Sequence, residues 1–194
     1  MILWTIQPVE IWNIIQKTGV YRCNPAKSSM ADLSAEAYDW LVRNMKERIG
    51  PPPEGVEYPV WAWYMQEGKH KKPDLRRERW AYGAGNESYV CIEFEITSDQ
   101  VLLSDFDLWH FVLNDWYLSE TEDEDDQMYA IFDTLPSDER RKFCEESWKG
   151  IFDVTKLDNE WMRRGYWVQA TIWELRKEMI RDARFFVTGK YKHN

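Results

Sequence analysis

The stretch "YVCIEFEI", Tyr89 to Ile96, decides the fold. Val90, Ile92, Phe94 and Ile96 alternate with Cys91, Glu93 and Glu95, the period of two that a strand imposes on its side chains. Such a segment belongs in a sheet with one face against a core. Glu93 and Glu95 share the other face, which suits solvent. Upstream, "YPVWAWYM", Tyr58 to Met65, has the same period, with Val60, Ala62 and Tyr64 on one side and Trp61, Trp63 and Met65 on the other. "ILWTIQ" reads as a short first strand. Downstream, "TSDQ" predicts a turn and "VLLS" a return to the sheet. "YWVQATIWEL", Tyr166 to Leu175, and "ARFFVTG", Ala183 to Gly189, supply late extended segments.

Helical segments lie between these strands. Pro8 suits the first turn of a helix and Gly19 its end, with Ile11, Trp12 and Ile15 inward. "VYRC", Val20 to Cys23, is extended again. A helix is expected from Ser34 to Ile49, stopped by Gly50 and the prolines Pro51 to Pro53. Further helices are expected over Asp105–Tyr117 and Ser137–Lys149. Regular βαβ alternation is absent. The class is therefore α+β, a mixed and mainly antiparallel sheet with flanking helices.

At 194 residues the chain reads as a single domain, 1–194. Its 12 tryptophans run from Trp4 to Trp173, so only Lys190 to Asn194 reads as a tail. The three cysteines are far apart and lack Cys-x-x-Cys spacing, which points to reduced thiols and a cytoplasmic setting rather than a disulfide or zinc framework. No signal-peptide pattern and no membrane-length apolar run is present. A net charge of -9 argues against general affinity for nucleic acid phosphates. Two runs break the balance. "GKHKKPDLRRER", Gly68 to Arg79, is basic, and "ETEDEDD", Glu120 to Asp126, is acidic. Both read as solvated loops, and the basic one suits a local anion or a nucleic acid or protein acceptor.

"VLLSDFDLWHFVLN", Val101 to Asn114, is the most organised polar stretch. Ser104 and Asp107 have capping-box spacing, which predicts Ser104 as the cap of a helix from Asp105. Phe106, Trp109, Leu113 and Trp116 are its expected buried face. His110 stands one turn after Asp107, either as a satisfied helix residue or as a group that meets a substrate. No Gly-rich phosphate loop, nucleophile elbow, HExxH or kinase signature occurs.

"LWTIQ", "YDWL", "YPVWAWY", "LLSDFDLWH" and "VQATIWELRKEMI" together resemble a bacterial family of domains of unknown function. More distantly, the strand order resembles that of ADP-ribosyltransferases, especially toxins that modify DNA bases. The matching segments are "LWTIQ", Gly19, "PVWAWY", "VCIEFEI", "SDFD" and "WVQATIWEL". That resemblance implies a cleft for NAD. Thr5, Gln7 and Arg22 would hold the dinucleotide, Trp61, Trp63 and Tyr64 would wall the pocket, and Arg76 would meet phosphates. Ser104 and Asp105 would border the cofactor. Loss of nicotinamide leaves a cationic ribose, which a nearby anion stabilises while a base activates the acceptor. The late strand would carry the catalytic groups Gln169 and Glu174, and His110 of the helix stretch is a further catalytic candidate. The position that the resemblance gives to the catalytic glutamate is Thr171, which has no charge to offer. The competing expectation is a non-enzymatic acidic interaction protein, a regulator or inhibitor in a bacterial or phage conflict system. An enzyme should join the first, aromatic and late strands around a pocket. A binder should expose an aromatic or acidic surface.

Overall fold

The computed structural model describes residues 1–23, 35–82 and 85–189. The expected helix start at Ser34 and the expected tail, residues 190–194, lie outside the described residues. In chain order the strands and helices are β1 (Ile2–Pro8), α1 (Val9–Thr18), β2 (Val20–Tyr21), α2 (Ala35–Ile49), β3 (Val60–Met65), α3 (Leu75–Ala81), β4 (Ser88–Glu95), β5 (Leu102–Asp105), α4 (Phe106–Leu113), α5 (Glu122–Phe132), α6 (Ser137–Ser147), β6 (Leu157–Asp158), β7 (Arg163–Arg164), β8 (Val168–Ile172), β9 (Leu175–Arg176) and β10 (Ile180–Val187). The fold is α+β.

Six strands form the main sheet in the order β10-β4-β1-β3-β8-β5. Every neighbouring pair in it is antiparallel. β4 occupies an inner position, and its alternating side chains explain why. Val90, Ile92 and Phe94 are fully buried with Leu3, Ala62, Ala170 and Ile172 in one cluster, against which Ile11 and Trp12 of α1 pack. The other side of the sheet carries a larger cluster. There Trp40, Leu41 and Met45 of α2 meet Trp109 and Val112 of α4, Trp148, and the ring of Trp61. Sheet faces buried by helices on both sides account for the aromatic richness of the chain. No helix of the described residues is long and apolar enough to cross a membrane.

Several sequence expectations are corrected. The acidic run is not a loop: α5 begins at Glu122, and the Thr121 side chain caps it by accepting from the Glu124 N–H. Acidic side chains in a first turn complement the positive end of the helix dipole, which outweighs their mutual repulsion. The basic run is only partly loop, because α3 starts at Leu75 behind an Asp74 cap. α4 stops at Leu113 rather than Tyr117. Asp115 takes a left-handed φ of 57°, and Trp116 turns outward to 58% exposure. The buried face of α4 is Leu108, Trp109 and Val112.

Ser104 does not cap α4. It is the penultimate residue of β5, directly across the ladder from Gln169, so its side chain projects from the sheet. Asp105 caps instead. Its carboxylate accepts from the N–H groups of Asp107 (2.9 Å), Leu108 (3.0 Å) and Gly165 (2.6 Å) while fully buried. Gly165 has φ +74°, and a Cβ there would lie 2.7 Å from the Val154 carbonyl oxygen, so only glycine brings this N–H to the cap.

Candidate functional site

β1 is paired with β4 through seven consecutive residue pairs but with β3 through one, Trp4 with Trp63. Beyond that pair the two strands separate. Pro8 ends β1 and Pro59 precedes β3, and neither has an N–H to continue a ladder. The Thr5 hydroxyl spans the gap by donating to the Trp61 carbonyl oxygen at 2.7 Å. Gln7 Nε2 then donates to Thr5 Oγ1 at 2.8 Å. The opening widens into a cavity of about 640 Å³, lined by Gln7, Pro8, Glu10, Ile11, Ile14, Tyr21, Arg22, Cys23, Pro59, Val60 and Trp61.

Arg22 reaches this cavity through a chain of local causes. Gly19 ends α1 with φ 82°, the left-handed turn that glycine adopts without strain. The chain returns as β2, pairing Val20 with Arg176 and Tyr21 with Leu175 of β9. One step further along that register, Arg22 Nε donates to Glu174 Oε2 at 2.9 Å. Arg176 holds the other Glu174 oxygen at 2.6 Å. Glu174 is only 7% exposed. Burial pushes its carboxyl up, but hydrogen bonds from Arg22 and Arg176 and their charges pull it below the usual glutamate range. An ionised Glu174 thus fixes Arg22, whose Nη1 also donates to the Glu54 carbonyl oxygen at 3.5 Å, and the guanidinium offers its other N–H groups to a phosphate or carboxylate. Burial raises the Tyr21 hydroxyl to about 12, and Cys23 adds to this only once its own thiol has ionised. Burial also raises Cys23, so the thiol is a neutral wall rather than a nucleophile.

A second cavity, of about 530 Å³, opens at the far end of β3, beneath α3. Trp63, Phe106 and Trp167 wall it, and Gln66, Glu78, Tyr82 and Asp107 add polar groups. The chain belongs to the family described as Domain of unknown function (DUF3841), whose model matches residues 2–181. Comparison with curated proteins and with solved structures gives no match.

In this family member the sequence-derived candidates separate into two groups. Gln7, Arg22 and Trp61 line the first cavity, Thr5 braces its edge, and Glu174 holds Arg22 from behind. Trp63 lines the second cavity, and the ladder sets it in one row with Gln169 and Ser104. Gln169 Nε2 and Ser104 Oγ are buried and have no hydrogen-bond partner among the described residues. Thr171 is fully buried and donates to the Leu102 carbonyl oxygen at 3.3 Å.

The other candidates stand outside both cavities. Tyr64 packs on His70 with ring centroids 4.7 Å apart. Arg76 is held by Asp74 at 2.8 Å. His110 is exposed, its Nδ1 3.1 Å from the Phe106 carbonyl oxygen, and Asp105 spends its carboxylate on backbone amides. Most of the basic run is internally paired. Lys71 and Arg77 meet Glu67, and Lys72 meets Glu93 and Asp182. Among the described residues no group of three or more His, Cys, Asp or Glu side chains is placed to hold a metal ion.

Sequence reading missed Ile14, Tyr21, Cys23 and Pro59 as lining. Ile14 carried a usable signal, as a large apolar residue off the inward stripe of α1. It is partly exposed over the cavity.

Proposed function

We propose that the chain binds a nucleotide of the NAD class in the cavity between β1 and β3 and is an ADP-ribosyltransferase-like protein. One observation carries this reading. Gln7, Arg22 and Trp61, from three segments well separated in sequence, converge on a single cavity of about 640 Å³. That volume falls within the range of small-molecule sites, roughly 300–1,000 Å³. Its walls are mostly apolar, which suits a nicotinamide or adenine ring, and Arg22 supplies a preorganised cation for the pyrophosphate.

Transfer chemistry would break the bond between the ribose C1′ and the nicotinamide nitrogen. The bonding electrons leave with nicotinamide, and an acceptor atom bonds C1′ as it loses its proton. Two carboxylates stand near: Glu10 lines the cavity, and Glu174 stays ionised behind Arg22, held by Arg22 and Arg176. Glu174, on the segment that follows the late strand, is the candidate for the negative charge that Thr171 lacks. Isothermal titration with NAD tests the reading. Wild type should bind saturably, and Arg22→Met should weaken binding about tenfold, the loss of roughly 1.4 kcal/mol of charge-assisted hydrogen bonding. Absence of saturable NAD binding by folded wild type overturns it. Nicotinamide release, lost in Glu174→Gln, separates a transferase from a binder.

A second reading, the non-enzymatic acidic interaction protein, has its own observation. α5 has no buried residue. Tyr129 on it is 81% exposed, and it shares a shallow groove with Trp116, Met128 and Phe132, rimmed by Asp115, Asp125 and Asp133. Exposed aromatic anchors with a charged rim suit a protein interface. Trp116→Ala with Tyr129→Ala should abolish partner binding and leave NAD titrations unchanged.

A further inference from the structure

The second cavity has a charge imbalance that its own neighbours do not relieve. Lys71 and Arg77 line it, yet both are bonded to Glu67, at 3.1 and 2.5 Å. Asp74 is matched by Arg76 at 2.8 Å. Glu78 and Asp107 have no ion pair within 4.0 Å among the described residues. Glu78 is half-buried, and its carboxylate accepts one long hydrogen bond, 3.3 Å, from Gln66 Nε2. Burial pushes its carboxyl above the ordinary range, and the Gln66 bond and the Arg77 charge offset this only in part. A half-buried carboxylate with unfilled lone pairs is costly unless a donor fills them.

The walls around it are aromatic. Trp63 packs against Phe106 at 5.2 Å and Trp167 at 5.9 Å between centroids, each pair strongly tilted. The rings therefore form a contiguous corner. Tyr82, at the C-terminal end of α3, lines the same cavity. Aromatic rings attract cations by their quadrupole, and a carboxylate beside them adds charge and acceptor oxygens.

We propose that this cavity binds an organic cation bearing N–H donors, an alkylguanidinium or alkylammonium group. Its head donates to Glu78, and its charge lies against the rings of Trp63, Phe106 and Trp167. Asp107 at the rim adds long-range attraction. An anionic ligand is disfavoured here, since the lining carboxylates Glu67, Asp74, Glu78 and Asp107 outnumber the lining cations Lys71 and Arg77. The site stands apart from the nucleotide reading and shares no lining residue with the first cavity.

Calorimetric titration with butylguanidinium and its neutral isostere butylurea tests the charge requirement. Butylguanidinium should bind saturably, and butylurea at least tenfold more weakly. Glu78→Gln, which keeps shape and removes charge, should cost butylguanidinium at least tenfold in affinity without lowering the thermal midpoint. Trp167→Leu, checked for folding by circular dichroism, should weaken it as well. Equal binding of the urea, unchanged affinity in Glu78→Gln, or no saturation by millimolar butylguanidinium would each overturn the proposal. Agmatine compared with a capped Gly-Arg-Gly peptide separates the sources. Tighter agmatine binding assigns the site to a free amine, and tighter peptide binding assigns it to an arginine side chain of a partner.

Discussion

The two ends of β3 make opposite kinds of cavity from the same strand. At the Val60 end the sheet itself comes apart. The walls there are apolar, and one arginine is carried in on β2. At the Met65 end β3 keeps its pairing with β8, through an irregularity between Trp63 and Met65, and α3 roofs a corner of rings with carboxylates facing in. Each end rests on a buried carboxylate. Glu174 fixes Arg22 at the first, and Asp105 fixes the start of α4, and with it Phe106 and Asp107, at the second. The difference shows how a site acquires its charge preference: one carboxylate is spent on side-chain cations, the other on backbone amides, so only the first leaves a cation pointed at a ligand.

Removing the second anchor should have the larger effect. Asp105→Ala leaves three buried N–H donors without their acceptor and removes the cap of α4. It should cost about 3 kcal/mol in urea unfolding. Glu174→Gln comes next. Arg22 and Arg176 are each about half-exposed, so water screens much of the loss, and a cost of about 1–2 kcal/mol is expected. NAD affinity should fall with it while butylguanidinium affinity holds. Equal damage to both ligands would erase the distinction between the two ends.

Acidification sharpens the comparison further. Glu78 has a carboxyl raised by burial, with the Asp74 charge adding to it and the Gln66 bond and Arg77 charge opposing it, and Glu67, Lys71, Tyr82 and Asp107 stand around the same cavity. Glu174 has a lowered one. A raised carboxyl takes up its proton first as pH falls, so cation binding should fade above the ordinary glutamate value of about 4.3. The Glu174 lock behaves oppositely. Its contribution to stability is full above the unfolded glutamate value and is lost as pH falls through the lower folded value. Parallel titrations of butylguanidinium and of NAD from neutral to acid pH should therefore lose the guanidinium first, while Glu10 and Arg22 are the charged groups at the NAD cavity.

Much of the fold was legible because period-two segments such as "YVCIEFEI" and "YPVWAWYM" report burial directly, and Gly19 and Pro51–Pro53 mark helix ends. The site was half legible. Gln7, Arg22 and Trp61 are polar or aromatic residues at strand ends, where chains open. Their meeting depends on β1 and β3 parting after one pair, a tertiary fact that no local pattern encodes. Glu174 was read as continuing a strand. In fact β8 ends at Ile172, the Trp173 indole N–H bonds the Gly50 carbonyl oxygen at 3.0 Å, and the chain turns to pair with β2. The acidic run failed for a different reason: composition signals solvation, which a surface helix satisfies as well as a loop does.

The smallest expected effect tests the capping correction. A Ser104 cap would make Ser104→Ala cost about 1 kcal/mol. The observed arrangement predicts another outcome. Ser104 Oγ is buried, has no partner among the described residues, and lies in the row that holds Gln169 and Trp63. Replacing an unpaired buried hydroxyl with a methyl group removes a desolvation cost and loses no hydrogen bond. Ser104→Ala should therefore change unfolding free energy by less than about 0.5 kcal/mol, or raise it slightly. Asp105→Ala measured alongside supplies the contrast. A loss near 1 kcal/mol in Ser104→Ala would return the cap to Ser104. A loss only in Asp105→Ala would fix the entry to α4 on the carboxylate that also ties it to Gly165, and the floor of the second cavity would then be set one residue later than the serine spacing suggested.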